Sequence, residues 1–243
     1  MKTYGLIGYP LSHSFSKGFF TKKFEEEHIA GHQYETFPIP AITEFPALLA
    51  QHPDLCGLNV TIPYKEQVIP YLDELSDAAS QIGAVNCIRF KDGKKKGFNT
   101  DVIGFRDSLQ PLLQPHHHKA LVLGTGGAAK AVMYALQEIN IDYLVASRTP
   151  ANGTVAYHSL DQATMETYTL IINTTPLGMY PNVDACPDIP YEYITSRHLL
   201  YDLVYNPAET LFLQKGAAQG AVIKNGHEML ILQAEASWDI WNA

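Results

Sequence analysis

The sequence predicts an α/β protein made of two α/β domains, the first with a mainly parallel sheet and the second Rossmann-like. Three observations predict it. Short apolar runs alternate with helix-like stretches from one end to the other, the pattern of βαβ units. A glycine-rich turn over residues 124–129 lies between an apolar strand and a helix. A polar segment, residues 114–119, separates two runs of such elements.

In the first run, residues 3–8 read as a strand, 17–28 as a helix, 33–37 as a strand, 42–51 as a helix and 57–61 as a strand. Residues 85–90 and 95–98, joined through Asp92 and Gly93, read as a hairpin. The strands therefore need not all be parallel. Lys94, Lys95 and Lys96 follow that turn and read as its solvated tip. A helix is expected from Asp101 to about Leu113, and the three histidines His116, His117 and His118 fall in the polar segment after it. Neighbouring histidines in a loop rarely converge on one metal ion, so that segment reads as a plain polar loop.

The second run continues with a strand at 120–123, a helix at 127–138 and strands at 143–146, 169–173 and 199–203. A helix at 210–219 and a short strand at 222–223 follow. The last stretch, 228–241, sets Met229, Leu232, Ala236 and Ile240 at helical spacing and is expected to pack back on the first domain. The expected domains are residues 1–101 with 227–243, and residues 102–226.

Composition narrows the function. The 243 residues are 46% hydrophobic, enough for ordinary cores, and 17 basic against 25 acidic residues give a formal charge of −8. An acidic balance spread along the chain argues against nucleic-acid or membrane surfaces. Cys56, Cys87 and Cys186 are far apart and form no C-x-x-C pair, so neither a disulfide framework nor a zinc site is indicated. With no signal-peptide pattern and no span-length apolar segment, a cytoplasmic protein is expected.

The glycine turn reads G-x-G-x-x-A. Gly124 permits the tight turn, Gly126 lets the backbone approach a pyrophosphate, and the small Ala129 lets helix and strand pack closely. The helix then offers free N–H groups and its positive dipole end to phosphates. At the end of the next strand stand Ser147, Arg148 and Thr149, with no carboxylate to accept from a ribose diol. An arginine and two hydroxyls suit a 2′-phosphate, which points to NADP rather than NAD.

Four polar clusters mark strand ends and turns in the first domain. They are Ser12-His13-Ser14-Phe15-Ser16, Asn59-Val60-Thr61-Ile62-Pro63-Tyr64-Lys65, Gly83-Ala84-Val85-Asn86 and Phe98-Asn99-Thr100-Asp101. Alternate serines in an extended segment point the same way and can donate to one carboxylate, although Ser16 also reads as a helix cap. Taken singly, Lys65 reads as a surface charge and Asp101 as a cap. Together the clusters offer hydroxyls, amides and a Lys–Asp pair to a small polyhydroxy acid.

These strings, with N-T-T-P-L-G-M at 173–179, Y-D-L-V-Y-N-P at 201–207 and G-x-x-M-L-x-x-Q at 226–233, resemble the shikimate dehydrogenase family in both content and order. The resemblance implies reversible, NADPH-dependent reduction of 3-dehydroshikimate to shikimate on the route to aromatic amino acids. It also implies an active site in a cleft between the domains. Ser14 and Ser16 would bind the substrate carboxylate; Asn59, Thr61, Asn86 and Gln233 would hold ring hydroxyls; and Tyr205 would lie near the substrate. Lys65 and Asp101 would be the catalytic pair. Gly124, Gly126, Gly127 and Ala128 would face the pyrophosphate, and Ser147, Arg148 and Thr149 the ribose phosphate. Thr174, Met179 and Gly226 would take the remainder, including the nicotinamide.

Two departures stand out. Lys17-Gly18 occupies the place where the family often has proline after the second serine, so the helix start is expected to differ. Asn152 stands where a further basic residue often follows the arginine, leaving Arg148 as the lone cation and opening the door to some NAD use. Two other functions remain open on the sequence. One is a quinate/shikimate dehydrogenase of the same family with relaxed cofactor use; the other is a catalytically silent NADP-sensing protein.

Overall fold

The computed structural model spans residues 1–243 and describes all of them except Ser12, His13 and Asn152. The chain divides into two units, Met1–Thr100 with Gln233–Ala243, and Asp101–Leu232. The sequence places the divisions at 101/102 and 226/227; here they fall after Thr100 and inside the last helix, after Leu232.

The first unit runs β1 (Lys2–Gly8), α1 (Phe15–Glu26), β2 (His32–Pro38), a 3-10 turn into α2 (Phe45–Gln51), β3 (Leu55–Val60), β4 (Glu74–Leu75), α3 (Asp77–Ile82), β5 (Cys87–Lys91) and β6 (Lys94–Phe98). Its sheet has the order β2-β1-β3-β5-β6-β4. The pairs β1–β2, β1–β3 and β4–β6 are parallel, while β3–β5 and β5–β6 are antiparallel. β1 is apolar on both faces because both are covered. Tyr4 and Leu6 join Phe20, Phe24 and Trp241, and Ile7 joins Phe45, Leu58 and Ile88.

The end of the last helix, α8 (His227–Asn242), packs on this sheet as its spacing predicts. Gly57 makes room for it: a Cβ there would come within 2.3 Å of the Trp241 ring. The indole Nε1 donates to the Ile88 carbonyl at 3.0 Å.

The second unit runs α4 (Asp101–Leu109), β7 (Lys119–Leu123), α5 (Gly127–Glu138), β8 (Asp142–Ser147), β9 (Thr154–Ala156), α6 (Gln162–Thr167), β10 (Leu170–Asn173), β11 (Leu199–Asp202), α7 (Leu211–Ala218) and β12 (Val222–Lys224), and then enters α8. All six strands are parallel, in the order β12-β11-β10-β7-β8-β9. The strand order reverses between β7 and β10. In an open parallel sheet, that switch point leaves a crevice at the carboxyl ends of the strands. α5 buries Ala129, Val132, Ala135 and Leu136 along one stripe against the sheet.

Several short elements carry no assignment in the sequence reading. α3 and α6 are six residues each, too short to show a helical period. Their caps were nonetheless written in the sequence. Ser76 accepts from Ala79 N at 3.2 Å, and Asp161 accepts from Thr164 N at 2.8 Å. β4 and β9 are held as edge strands by their neighbours rather than by pattern.

The lysine run needs correction. Asp92 and Gly93 form the turn, with φ of 52° and 73°, and all three lysines lie in β6. Lys94 pairs with Glu74 at 2.5 Å and stays exposed at the tip, whereas Lys95, paired with Asp73 at 2.8 Å, and Lys96 are partly buried along the strand. The histidine loop is also less open than expected. His117 is buried, and both His116 and His117 donate through Nε2 to the Arg197 carbonyl at 2.9 and 3.1 Å. Burial holds the His117 imidazole below its ordinary pKa.

Candidate active site

The glycine turn lies at the switch point. Gly124 follows β7 with φ of 109°, a conformation that disfavours side chains. A Cβ there would meet Thr174 Oγ1 at 2.8 Å and Thr175 Cγ2 at 2.9 Å. Thr174, just past β10, closes the turn from the other side, its amide and hydroxyl both donating to the Leu123 carbonyl at 3.0 and 2.7 Å. Gly126 and Gly127 face open space, where a Cβ would meet nothing within 4 Å. Gly126 caps α5, whose first turn carries no acidic residue, and Ala128 is exposed beside it. This is a backbone cradle with free amides and a positive dipole end, and it fits a pyrophosphate.

At the end of β8, Ser147 is buried while Arg148 and Thr149 are exposed. The Ser147 hydroxyl donates to the Thr149 carbonyl at 3.0 Å and accepts from the Thr149 amide at 3.1 Å. Its single proton is therefore spent on the turn, while the side chains of Arg148 and Thr149 stand exposed at this strand end. Asn152 lies outside the described residues.

Beyond β10 and β11, a buried carboxylate organises the loops. Asp202 is fully buried. Its Oδ1 accepts from Asn173 Nδ2 and from Val204 N, both at 3.0 Å, and its Oδ2 accepts from Thr210 Oγ1 at 2.5 Å. Asn173 Oδ1 in turn accepts from the amide and hydroxyl of Thr175 at 3.0 and 2.7 Å. Gly226 lies under the same loops, donating to Val204 O at 3.2 Å, and a Cβ on it would sit 2.1 Å from the Leu203 carbonyl oxygen. No larger residue fits there. Met179 and Tyr205 are partly exposed on the loops themselves.

Burial pushes the Asp202 carboxyl up to about 6, against the pull of Thr210, the Val204 amide and Asn173. The raised value means that the folded state holds this proton at pH values where the unfolded chain has lost it. Stability from this group is full below the unfolded pKa and declines as pH rises through the folded one. We expect a loss of about 2–3 kcal/mol between about pH 4 and pH 7. Urea unfolding of the wild type and Asp202→Asn across that range checks it, because the variant lacks this component of the slope.

In the first unit, three sequence-predicted residues share one buried polar network. Asn86 Oδ1 accepts from Thr100 N at 2.7 Å, and its Nδ2 donates to Thr100 Oγ1 at 3.0 Å. Gln233 Oε1 accepts from Thr100 Oγ1 at 3.3 Å and lies 3.5 Å from Asn86 Nδ2. Asn59 Nδ2 donates to Ser237 Oγ at 2.9 Å and to Asn86 O at 3.3 Å, while its Oδ1 accepts from Tyr34 OH at 2.8 Å. Asn59 thus spends both amide protons inside the protein. Tyr34 and Ser237 escaped the sequence reading. Ser237 stands one helical turn after Gln233, a spacing that sets both on one face of α8.

The structure also settles the helix start. Ser14, not Ser16, caps α1, accepting from Lys17 N at 3.2 Å. A proline at position 17 has no such N–H to give, so Lys17 supplies a cap bond where the family often lacks one. The Ser14 hydroxyl proton is left for another acceptor, and Ser16 opposes the rise that burial imposes on the Tyr34 phenol. Ser12 and His13 lie outside the described residues.

Lys65 is half-buried in the turn after β3. Its backbone is fixed from two sides: its carbonyl accepts from Val85 N at 2.7 Å, and the neighbouring buried Tyr64 donates through its hydroxyl to Ile39 O at 2.5 Å. Thr61 opens that turn, its amide donating to Ile7 O at 2.9 Å. Asp101 begins α4 directly after the networked Thr100.

A parallel sheet with a phosphate cradle at its switch point, and a second α/β unit with converging amides and hydroxyls, define a dinucleotide-binding α/β protein with a separate unit for a small polar ligand. Comparison with known proteins narrows this class. Residues 6–88 match the family model described as the shikimate dehydrogenase substrate binding domain. The chain is 36% identical to shikimate dehydrogenase (NADP(+)) of Methanosphaera stadtmanae over 98% of its length and 90% of that protein. It is 39% identical to the enzyme of the same name from Clostridium beijerinckii, over 99% and 92%. The solved structure of shikimate 5-dehydrogenase from Thermus thermophilus, in complex with NADP(H) and shikimate, superposes with a TM-score of 0.87 at 31% identity, covering 99% of this chain and 93% of that one. The chain belongs to the shikimate dehydrogenase family.

Proposed function

We infer that this protein catalyses the reversible, NADPH-dependent reduction of 3-dehydroshikimate to shikimate. The observation that carries the reading is the buried network joining Asn86, Thr100 and Gln233, which fixes substrate-type amides on rigid elements and leads straight into Asp101. Residues 1–101 with 227–243 serve the substrate, and residues 102–226 serve NADP.

Within the substrate unit, Ser14 and Ser16 bind the carboxylate, while Thr61, Asn86 and Gln233 hold ring hydroxyls. Asn59 takes a supporting part, joining Tyr34 and Ser237 to the Asn86 backbone. Tyr205 lies near the substrate. In the nucleotide unit, Gly124, Gly126, Gly127 and Ala128 take the pyrophosphate, with Arg148 and Thr149 on the ribose phosphate and Ser147 shaping their turn. Thr174, Met179 and Gly226 take the nicotinamide half. Bound NADPH supplies the hydride.

Negative charge grows on the ketone oxygen as the reduction proceeds, and Lys65 Nζ stabilises that charge and delivers the proton. Asp101 exchanges the proton with Lys65. The protein works in the cytoplasm as a monomer or homodimer on small molecules, a reading supported by three free thiols and an acidic charge balance. No described helix is long and apolar enough to cross a membrane.

A spectrophotometric assay of shikimate and quinate, each against NADP and NAD, tests the reading. Shikimate with NADP is expected to be the best pair. Faster quinate oxidation would move the protein to the broader enzyme, and NADPH binding without turnover would make it a sensor.

A further inference from the structure

We propose that Asp202 is a positioning residue for the nicotinamide end of the cofactor, tying the loop after β10 to the loop after β11 and to the start of α7. The proposal rests on the assignment of Thr174, Met179 and Gly226 to that half of NADP.

Three segments converge on one carboxylate. Asn173, the last residue of β10, donates its amide to Oδ1 and uses its own Oδ1 to hold Thr175, the neighbour of Thr174. Val204, past the end of β11, donates its backbone N–H to Oδ1 and also receives the Gly226 amide on its carbonyl. Thr210, the cap of α7, donates its hydroxyl to Oδ2 while accepting from Leu213 N at 3.4 Å. The loops are stitched again further out, where Tyr180 N, next to Met179, donates to Asn206 O at 3.1 Å.

Every group facing Asp202 here is a donor, so only a side chain that accepts on both oxygens satisfies them together. An asparagine keeps the shape and the Oδ1 bonds but turns an N–H toward the Thr210 hydroxyl. That hydroxyl must then rotate and lose its acceptor. Charge-assisted bonds of this type are stronger than neutral ones, and leaving a buried partner unsatisfied costs more than losing the bond alone. The raised carboxyl pKa adds support from another side: burial disfavours the charge itself, so a neutral isostere relieves that cost and offsets the bond it loses at Thr210. Asp202 is therefore suited to set loop geometry rather than to secure folding.

The test uses the whole enzyme and reads the two halves of the cofactor separately. Asp202→Asn is expected to lower kcat about tenfold and to shift the fluorescence of saturating bound NADPH toward that of the free nucleotide. Calorimetric binding of 2′-phospho-ADP-ribose, which lacks the nicotinamide, is expected to stay within about twofold of wild type. The melting transition near neutral pH is expected not to fall. Thr210→Val should reproduce the changes in kcat and NADPH fluorescence, with a lower melting temperature from the lost α7 cap, and Thr210→Ser should restore all three. Equal weakening toward both nucleotides with a lower melting temperature would make Asp202 merely structural and overturn the proposal, as would unchanged kcat and fluorescence. If bound and free NADPH emit alike already in the wild type, the nicotinamide assignment fails and the proposal falls with it.

Discussion

Lys65→Ala is expected to lower kcat at least about a hundredfold, the usual size of an acid–base contribution, with little change in KM for shikimate. The structure makes this a clean experiment. The turn that carries Lys65 is held by the Lys65 carbonyl, the Tyr64 hydroxyl and the Thr61 amide, none of which the substitution removes. A loss of rate is then a loss of chemistry rather than of fold. Lys65→Arg separates the two parts of the role. Arginine keeps the positive charge but cannot give up its proton at working pH, so it should restore part of the electrostatic stabilisation and little of the proton delivery. Near-normal turnover of Lys65→Ala would remove the residue from the catalytic pair.

The polar strings that reveal Lys65 also explain how much of the protein is legible in its sequence. Long elements with both faces or one stripe buried declare themselves: α5 is read to the residue, and β1, β7, β10 and β11 to within one or two. Elements whose existence depends on a neighbour do not, which is why β4, β9, α3 and α6 escape. The lysine run shows the same limit in charge. Asp73 and Glu74 neutralise it only because β4 is laid beside β6, and nothing local announces that pairing.

The site divides similarly. Glycines speak clearly because their reasons are backbone geometry, as at Gly124 and Gly226. Side-chain amides speak less clearly, because their type does not say whether they face a ligand or the interior. Asn59 and Asn86 stand in equally conspicuous strings, and both are committed inside the protein, Asn59 to Tyr34, Ser237 and a carbonyl and Asn86 to Thr100 and Gln233. Ser147 is a hydroxyl at the right strand end whose proton closes its own turn. Asp202 stands in a recognised string with no role at all, since its partners come from three separate segments.

The commitment of Ser147 sharpens what Arg148 must do. With the serine proton spent, Arg148 is the cation at this strand end among the described residues, and it stands exposed just past β8. Its charge opposes the upward push of burial on the Tyr157 phenol. Arg148→Ala is expected to raise KM for NADPH by about ten- to a hundredfold, the worth of one or two charge-assisted bonds to phosphate, and to leave KM for NADH nearly unchanged. Raising ionic strength should weaken NADPH more than NADH in the wild type and remove that difference in the variant, because an exposed ion pair is screened by salt. Equal losses toward both nucleotides would mean that Arg148 shapes the loop instead of reading the phosphate. A wild-type preference for NADPH below about tenfold, near 1.4 kcal/mol, would show that one guanidinium at this strand end does not suffice for strict NADP use.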